Sequence, residues 1–333
     1  MGLALVVLAA LLAAGGAAFW IARRGEDRPD RILGLLYHRL VSEAEYASCP
    51  PTEKIFSMTE ARFREQMEYL KREGYHPVSL DAVLDFVERG TPLPHRPVSI
   101  TFDDGCVSVH DRALPILREL GIPAVLFVTT DPDAWCFALG SNSQRRVTPE
   151  EMRALEAGGV AIGSHALTHG ALESMDDAGI RKELGESKRW LEGHLGHPVD
   201  SFAVPLNWYG PRVKRIAKEL GYRSVMTSDN GTIHRDSDPF HLRRFIIEGS
   251  FDVQEFARNL TATSIVQRRV INFVKRAPAR LLGPRIWLPF RRWLFATPLG
   301  RYFTLRYMKR IVAAGALGLV ALVIALVWAA AGS

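Results

Sequence analysis

The chain has 333 residues, of which 47% are hydrophobic, and a formal net charge of +6. That length is enough for one large domain or two ordinary ones, with a sizeable core. Its three cysteines, Cys49, Cys106 and Cys136, are scattered and show no C-x-x-C spacing. This argues against both a disulfide framework and a cysteine-based zinc site.

Two apolar stretches, Gly2–Ala22 and Ile311–Ala331, are long enough to cross a bilayer. A cleaved signal peptide is the alternative for the first, but no positive residue precedes it, and Arg23 and Arg24 follow it. We therefore predict an N-terminal transmembrane anchor over residues 1–22, a linker over residues 23–30, and a C-terminal transmembrane helix over residues 311–331.

Basic residues flank both stretches on the side that faces the middle of the chain: Arg23, Arg24, Arg28 and Arg31 after the first, and Arg301, Arg306, Lys309 and Arg310 before the second. Basic flanks favour the cytoplasmic side of a membrane. We therefore predict a protein of the bacterial cytoplasmic membrane whose central domain faces the cytoplasm.

Between the two stretches, strand and helix patterns alternate. The predicted strands are Arg31–His38, Arg96–Ile100, Pro123–Thr129, Val160–His165, Ser201–Pro205, Tyr222–Met226 and Leu242–Ile247. The predicted helices are Thr59–Glu73, Leu80–Glu88, Asp111–Leu120, one that starts at Thr148, Asp176–His194 and Pro211–Leu220. Such alternation implies an α/β fold with a parallel sheet, and about seven units favour a barrel over an open sheet.

Catalytic residues in such barrels lie at the C-terminal ends of the strands. The residues at those ends here are His38, Asp103, Asp104, His165 and Pro205. Two adjacent carboxylates push one pKa up and the other down, so one can bind a metal while the other accepts a proton. The alternative for this pair is an Asp-Gly turn that links a strand to a helix, and for His38 it is a buried, hydrogen-bonded histidine.

His165 and His169 place two imidazoles four residues apart at a strand end. By itself such a pair is often only hydrogen-bonded. Two imidazoles and one carboxylate from the same face of a barrel, however, form a three-ligand metal site that leaves positions open for water and substrate.

The chain changes character after Glu255, its last acidic residue. Basic residues such as Arg268, Arg291 and Arg292 are interleaved with aromatic residues such as Trp287 and Trp293. Nucleic-acid binding is one interpretation. Because the stretch leads into a transmembrane span, we predict instead a membrane-interfacial segment over residues 256–310 that contacts anionic lipid, with no nucleic-acid and no protein partner.

Thr101–Gly105 (TFDDG) and Ser164–His169 (SHALTH) together resemble the motifs of the polysaccharide deacetylase family, the carbohydrate esterase family 4-like enzymes with a NodB homology domain. The similarity extends across roughly residues 31–250 and includes Leu36–His38, Ala113–Leu117 and Glu183–Leu191. The chain most resembles the branch that de-N-acetylates exopolysaccharide, in which a tyrosine-histidine pair lies at the start of the domain.

This resemblance implies a distorted (β/α)7-type barrel over residues 31–255 and a metal-dependent amidase. Asp104, His165 and His169 would hold a divalent metal ion. Zn²⁺ is the expected ion, although Co²⁺, Ni²⁺ or Fe²⁺ suit the same ligands. Asp103 would be the general base toward the attacking water, and His38 the general acid for the departing amine.

The chain departs from the family pattern at two places. Ala203 stands where many relatives have an arginine that positions the base, and Leu206-Asn207 replaces a Tyr-Gly pair after Pro205. We still expect Pro205, Asn207 and Trp208 to line the substrate pocket. The late Leu-x-His of many relatives is absent, and Phe245–Gly249 occupies the final strand.

The predicted function is removal of an N-acetyl or N-formyl group from an amino sugar, with a polyprenyl-phosphate sugar or a glycan precursor as the preferred substrate because of the predicted membrane topology. A cell-surface polysaccharide or peptidoglycan N-deacetylase is the alternative within the same class. A non-catalytic glycan- or lipid-binding scaffold is the alternative from another class.

Overall fold

The computed structural model describes residues 16–131, 133, 145–282 and 293. These residues divide into two compact units. One is Pro29–Asn259 and contains the whole sheet; the other contains a helix over residues 16–26 (α1) and a helix over Ala262–Leu282 (α11). The central unit therefore starts slightly before the predicted boundary at residue 31 and continues past the predicted boundary at residue 255.

None of the helices in the described ranges is long and apolar enough to cross a membrane. The predicted span over residues 311–331 lies outside the described residues, as do residues 1–15 of the predicted N-terminal anchor. Helix α1 continues past residue 22, so its last turn occupies part of the predicted linker over residues 23–30. Of the predicted interfacial segment over residues 256–310, the described part is residues 256–282 and 293.

The secondary structure of Pro29–Asn259 alternates between strands and helices, as predicted. Its strands are β1 Leu33–Tyr37, β2 Arg39–Val41, β3 Ser57–Thr59, β4 His76–Pro77, β5 Pro97–Phe102, β6 Ala124–Val128, β7 Val160–Ser164, β8 Ser201–Ala203, β9 Ser224–Thr227, β10 Leu242–Arg243 and β11 Phe245–Ile246. Its α-helices are α2 Glu43–Ser48, α3 Pro51–Lys54, α4 Glu60–Arg72, α5 Leu80–Arg89, α6 Leu114–Leu120, α7 Pro149–Ala157, α8 Asp177–Leu195, α9 Pro211–Glu219 and α10 Val253–Asn259.

The helix starts follow from local capping chemistry. Thr59 and Thr148 cap α4 and α7, and Thr148 also forms a full capping box with Glu151. The predicted helix Asp111–Leu120 differs in detail, because its first turn is a π-helix over Val109–Ala113 before α6 begins.

Parallel pairing joins the main strands in the order β10-β9-β8-β7-β6-β5-β1-β11. The two ends of this order are adjacent in the chain, since only Arg244 separates β10 from β11. Leu242 pairs with Met226 of β9, whereas Phe245 pairs with Leu35 of β1. The predicted final strand thus bridges both edges of the sheet. The predicted α/β fold with a parallel sheet is confirmed, and the sheet forms a near-barrel.

Alternating residues on the strands face two different apolar layers. Phe202 and Val225 pack with α8 and α9, whereas their neighbours Ala203 and Met226 pack in a separate cluster that includes Phe127. This period of two is what a strand requires when both of its faces are covered. Because all these strands are parallel, their carboxyl ends, including those of β1, β5, β7 and β8, lie at one edge of the barrel.

Candidate metal-dependent active site

Asp104, His165 and His169 converge at that edge. The Oδ1 atom of Asp104 lies 3.4 Å from Nε2 of His165 and 3.3 Å from Nε2 of His169. Asp104 and His165 are almost completely buried, and His169 is partly buried. The structure therefore brings together the three residues predicted as metal ligands, with one donor atom from each aimed at a common point.

The backbone at this site is held in the left-handed region. Asp104 has a φ of 78°, His169 a φ of 60°, and Gly105, next to Asp104, a φ of 82°. Non-glycine residues are rare in this region and cluster at functional sites, where surrounding structure keeps the strained conformation. At Gly105 a side chain would also meet Val128, since an added Cβ would lie 3.0 Å from its Cγ1.

The tautomer of His165 is set by its second ring nitrogen. Nδ1 lies 2.8 Å from the carbonyl oxygen of Ala203. A carbonyl only accepts hydrogen bonds, so Nδ1 carries a proton, and in the neutral ring the lone pair is on Nε2, the nitrogen that faces Asp104. Orientation of a ligand by such a second contact is usual for metal-binding histidines.

A cation fits the space between these three residues. Oδ1 of Asp104 is buried and accepts no hydrogen bond of good geometry from the described part of the chain. Burial raises the pKa of Asp104, but the two imidazoles beside it lower the pKa more, and the result is well below the usual value. An ionised oxygen facing two imidazole nitrogens needs either protonated histidines or a metal ion, and this nitrogen and oxygen donor set suits Zn²⁺ and related divalent ions.

The protonation of His165 also depends on burial and on neighbouring charges. Burial lowers its pKa, but the carboxylates of Asp103 and Asp104 outweigh burial, and the pKa is raised above its usual value. Metal ligation requires neutral imidazole, so binding of a divalent ion would release a proton from this site.

Asp103 forms a buried, two-point ion pair with Arg244. The guanidinium nitrogens lie 2.8 Å and 3.0 Å from the two carboxylate oxygens. Arg244 also donates to Oγ1 of Thr101 at 3.0 Å and to the carbonyl oxygen of Thr227 at 3.3 Å. Burial raises the pKa of Asp103, but Arg244 and then His165 lower it below its usual value. Asp103 is therefore an ionised, fixed proton acceptor next to the candidate metal ligand Asp104.

The role of Arg244 was missed by sequence reasoning. The chain has Ala203 where many relatives have the arginine that positions the base, and Arg244, between β10 and β11, supplies a guanidinium to Asp103 instead. One signal was available: an arginine inside a predicted buried strand needs a charged partner. The sequence alone could not identify Asp103 as that partner, because 141 positions separate the two residues.

His38 is partly buried beyond the end of β1, and its ring packs edge-on against Phe56 with centroids 4.8 Å apart. Burial lowers the pKa of His38, and the nearby carboxylates of Asp104 and Asp103 oppose that effect without cancelling it. The structure thus places His38 within the electrostatic reach of both aspartates, with a neutral imidazole favoured near pH 7.

The loop after β8 forms a tight turn over Pro205–Asn207. Leu206 and Asn207 both have a φ of 55°, in the left-handed region. Asn207 stands where relatives have glycine, and asparagine tolerates this region better than most residues. The amide of Asn207 donates to Asp229 and accepts from the backbone N–H of Ser228. Its side chain therefore holds the loop, while Leu206 is 49% exposed and Trp208 is partly buried.

A second group of possible ligands, His110, Asp111 and Glu151, lies elsewhere on the surface. Glu151 is already bound by Arg145 through two hydrogen bonds of 2.7 and 2.5 Å, and Arg145 is the main cause that lowers the pKa of Glu151 to about 2. Nδ1 of His110 donates to Oδ1 of Asp111 at 2.8 Å. These groups form ion pairs and a helix cap, so they do not compete with the buried site as a metal centre.

Comparison with known proteins agrees with this geometry. Residues 90–225 match the sequence profile described as polysaccharide deacetylase. YxkH of Bacillus subtilis, which carries the name of the same family, is 22% identical over 218 residues, covering 66% of this chain and 72% of that protein. The poly-beta-1,6-N-acetyl-D-glucosamine N-deacetylase of Staphylococcus aureus is 22% identical over 253 residues, covering 68% of this chain and 84% of that enzyme.

Among solved structures, the deacetylase PplD of Streptococcus pyogenes in complex with acetate aligns with a TM-score of 0.61 and 22% identity over 70% of this chain and 99% of PplD. At that identity the alignment establishes the fold. The predicted resemblance is confirmed by the profile, the curated relatives and the fold together. This chain therefore carries a polysaccharide deacetylase domain, similar to those of hydrolases that act on carbon–nitrogen bonds other than peptide bonds.

Proposed function

We propose that this protein is a metal-dependent hydrolase that removes the N-acetyl group from an amino sugar of a glycan containing N-acetylglucosamine. The observation that carries the proposal is the pairing of two neighbouring carboxylates with different surroundings. Asp104 faces two imidazoles, whereas Asp103 is held by Arg244. Splitting one Asp-Asp pair into a ligand and a base is what hydrolysis by an activated water requires.

In this mechanism Asp104, His165 and His169 hold a divalent cation, which supplies Lewis-acid polarisation when bound. Asp103 accepts a proton from the attacking water, and the fork of Arg244 keeps its carboxylate oriented and ionised. His38 then donates a proton to the departing amine. Because burial favours its neutral form, His38 must first gain a proton during turnover, and the proton accepted by Asp103 is the available source.

The role of His38 gives a prediction. His38→Asn should lower the turnover of an N-acetylglucosamine oligomer by about 10²-fold, in the range of general acid catalysis. The same variant should hydrolyse p-nitrophenyl acetate at nearly the wild-type rate, because p-nitrophenolate leaves without being protonated. His76→Gln, a change at an exposed histidine, is the control. Equal losses on the amide and the ester would contradict the assignment of His38 as the acid.

The metal requirement is tested by direct metal analysis. We expect the wild type to bind about one Zn²⁺ per chain and to lose activity with a chelator, and Asp104→Ala to lose both the metal and the activity. Asp111→Ala, at an exposed carboxylate of the surface group, should keep both. A wild type that binds no divalent metal, or equal activity in Asp104→Ala and wild type, would favour the non-catalytic scaffold instead.

A second candidate substrate is an N-acyl sugar carried on a polyprenyl phosphate. The arginines that flank the two apolar stretches favour it, because they predict a domain on the cytoplasmic side, where an exported polymer is not accessible. A deacylation assay that compares a lipid-linked N-acetyl sugar with a soluble N-acetylglucosamine oligomer separates the two. Preference for the soluble oligomer would support a polysaccharide deacetylase outside the cell.

A further inference from the structure

We infer that Glu183 is a positioning residue for the metal-binding loop 165–169, and this inference rests on the proposed function. Glu183 lies on α8, away from the three candidate ligands in sequence, and only 6% of it is exposed. A carboxylate is costly to bury unless donors surround it. The carboxylate of Glu183 therefore requires hydrogen-bond donors close to it.

In the described part of the chain, the donors to Glu183 belong to Leu167 and Thr168, two of the three residues that lie between the histidines of the loop. Oε2 accepts from the backbone N–H of Leu167 at 3.1 Å and from that of Thr168 at 2.9 Å. Oε1 accepts from Oγ1 of Thr168 at 2.5 Å. One side chain thus fixes both central peptide units of the loop, and a carboxylate provides the two oxygens that this arrangement needs.

The opposite edge of the loop is held by residues that follow β6. The carbonyl oxygen of Ala166 accepts from the N–H of Thr130 at 3.3 Å, and that of Leu167 accepts from the N–H of Asp131 at 2.9 Å. The N–H groups of Leu167 and Thr168 therefore point to Glu183, and the carbonyl groups of Ala166 and Leu167 point to the segment that follows β6. Removing Glu183 would release one of these two sides and leave the peptide N–H groups of Leu167 and Thr168 without this acceptor.

The backbone conformation of loop 165–169 shows why the hydrogen bonds to Glu183 matter. Ala166 has a φ of 63° and His169 a φ of 60°, so a left-handed residue stands on each side of the Glu183 contacts. Neither residue is glycine, and both conformations are unfavourable without support. Without the hydrogen bonds to Glu183, Ala166 and His169 would leave the left-handed region. This change would move the imidazole of His169 relative to that of His165. Glu183 therefore acts on the metal through the loop and not by contact.

The test is metal binding by the purified full chain, measured by competition with a chromophoric chelator. Glu183→Ala should weaken Zn²⁺ binding by about 10- to 100-fold, as expected for the loss of a group that orients ligands. Glu183→Gln keeps one oxygen acceptor and should weaken binding less than Glu183→Ala. With Co²⁺ in place of Zn²⁺, the visible absorption of the Glu183→Ala complex should differ from that of the wild type, because the ligand geometry changes.

Ser187→Ala is the matched control for a purely structural effect. Ser187 lies one turn further along α8, is buried, and bonds through its hydroxyl to the hydroxyl of Ser164 at 2.9 Å. It touches the strand before the loop and not the central peptides of the loop. We expect Ser187→Ala to lower the thermal stability while it leaves Zn²⁺ affinity and the Co²⁺ spectrum as in the wild type.

The inference is overturned if Glu183→Ala binds Zn²⁺ with the wild-type affinity and gives the wild-type Co²⁺ spectrum. If Glu183→Ala does not fold, Glu183→Gln decides: an unchanged affinity overturns the role of Glu183, and a weakened one supports it. A wild type without Zn²⁺ affinity would overturn the metal site of the proposed function itself. If the wild type binds Zn²⁺ and the Glu183 variants bind it equally well, only the positioning role of Glu183 is overturned.

Discussion

Replacement of Asp103 by asparagine is expected to lower kcat/KM for N-deacetylation by about 10³-fold, within the range for loss of a general base. Asparagine has almost the same shape as aspartate but cannot accept a proton from water at neutral pH. Asp103 is not among the three residues that face the candidate metal position, so Zn²⁺ affinity should stay within about threefold of the wild type.

The measurement is a steady-state assay of amine release from a soluble N-acetylglucosamine oligomer, with metal content determined on the same samples. The combination of lost turnover and retained metal separates a base from a ligand. Retained turnover within about tenfold of the wild type would exclude Asp103 as the base. Loss of both metal and turnover would assign Asp103 to the metal site instead.

Arg244→Met is the second change with a large expected effect. Arg244 is fully buried and pairs with Asp103 through two hydrogen bonds, so its removal leaves a buried carboxylate without its counter-ion. Breaking such a pair typically costs about 3–5 kcal/mol of stability. Chemical denaturation of the variant should show this loss, whereas Arg243→Met, at the partly buried neighbouring residue, should show much less.

The pH dependence of Arg244→Met has a defined direction. Arg244 contributes to a pKa of Asp103 below the usual value, so its removal raises that pKa. A general base works only when deprotonated, and the acid limb of the kcat/KM profile should therefore move to higher pH. The loss of activity relative to wild type should be greater at pH 5 than at pH 8. An acid limb that stays in place would show that Arg244 does not set the protonation of the base.

Two further variants separate charge from geometry. Arg244→Lys keeps the positive charge but not the planar fork, so we expect stability to recover more than activity. The double variant Asp103→Asn, Arg244→Met removes the carboxylate together with its partner. Its destabilisation should be smaller than the sum of the two single changes, because the unpaired buried charge is no longer present. Additive losses would contradict a direct pairing.

The arrangement of strands and the general position of the site were predictable from local patterns. Apolar, β-branched runs such as those of β5 and β7 are each followed by chemically reactive side chains, Asp103 and Asp104 in one case and His165 in the other. Since parallel strands end at one edge, it follows from the pattern that these side chains meet. The predicted alternation also identified the final strand, although its interruption at Arg244 was not anticipated.

The supporting contacts were not predictable, because they join residues that are distant in the sequence. Ala203 looked like the loss of a positioning arginine, yet its carbonyl group orients His165 and the missing guanidinium comes from Arg244. Asn207, which was predicted to line the substrate pocket, donates to Asp229 and accepts from the N–H of Ser228. In each case a polar group was satisfied by a partner that only the packing of the strands brings near.

What the sequence by itself determined was the α/β class, the order of the strands and the chemical types at their ends, because these depend on periodicity, caps and short motifs. What only the tertiary structure decided was the surroundings of each group. Asp103 and Asp104 are neighbours with the same side chain, and closure of the barrel places Arg244 against the first and two imidazoles against the second. The division of roles between them comes from these long-range contacts, which local sequence does not encode.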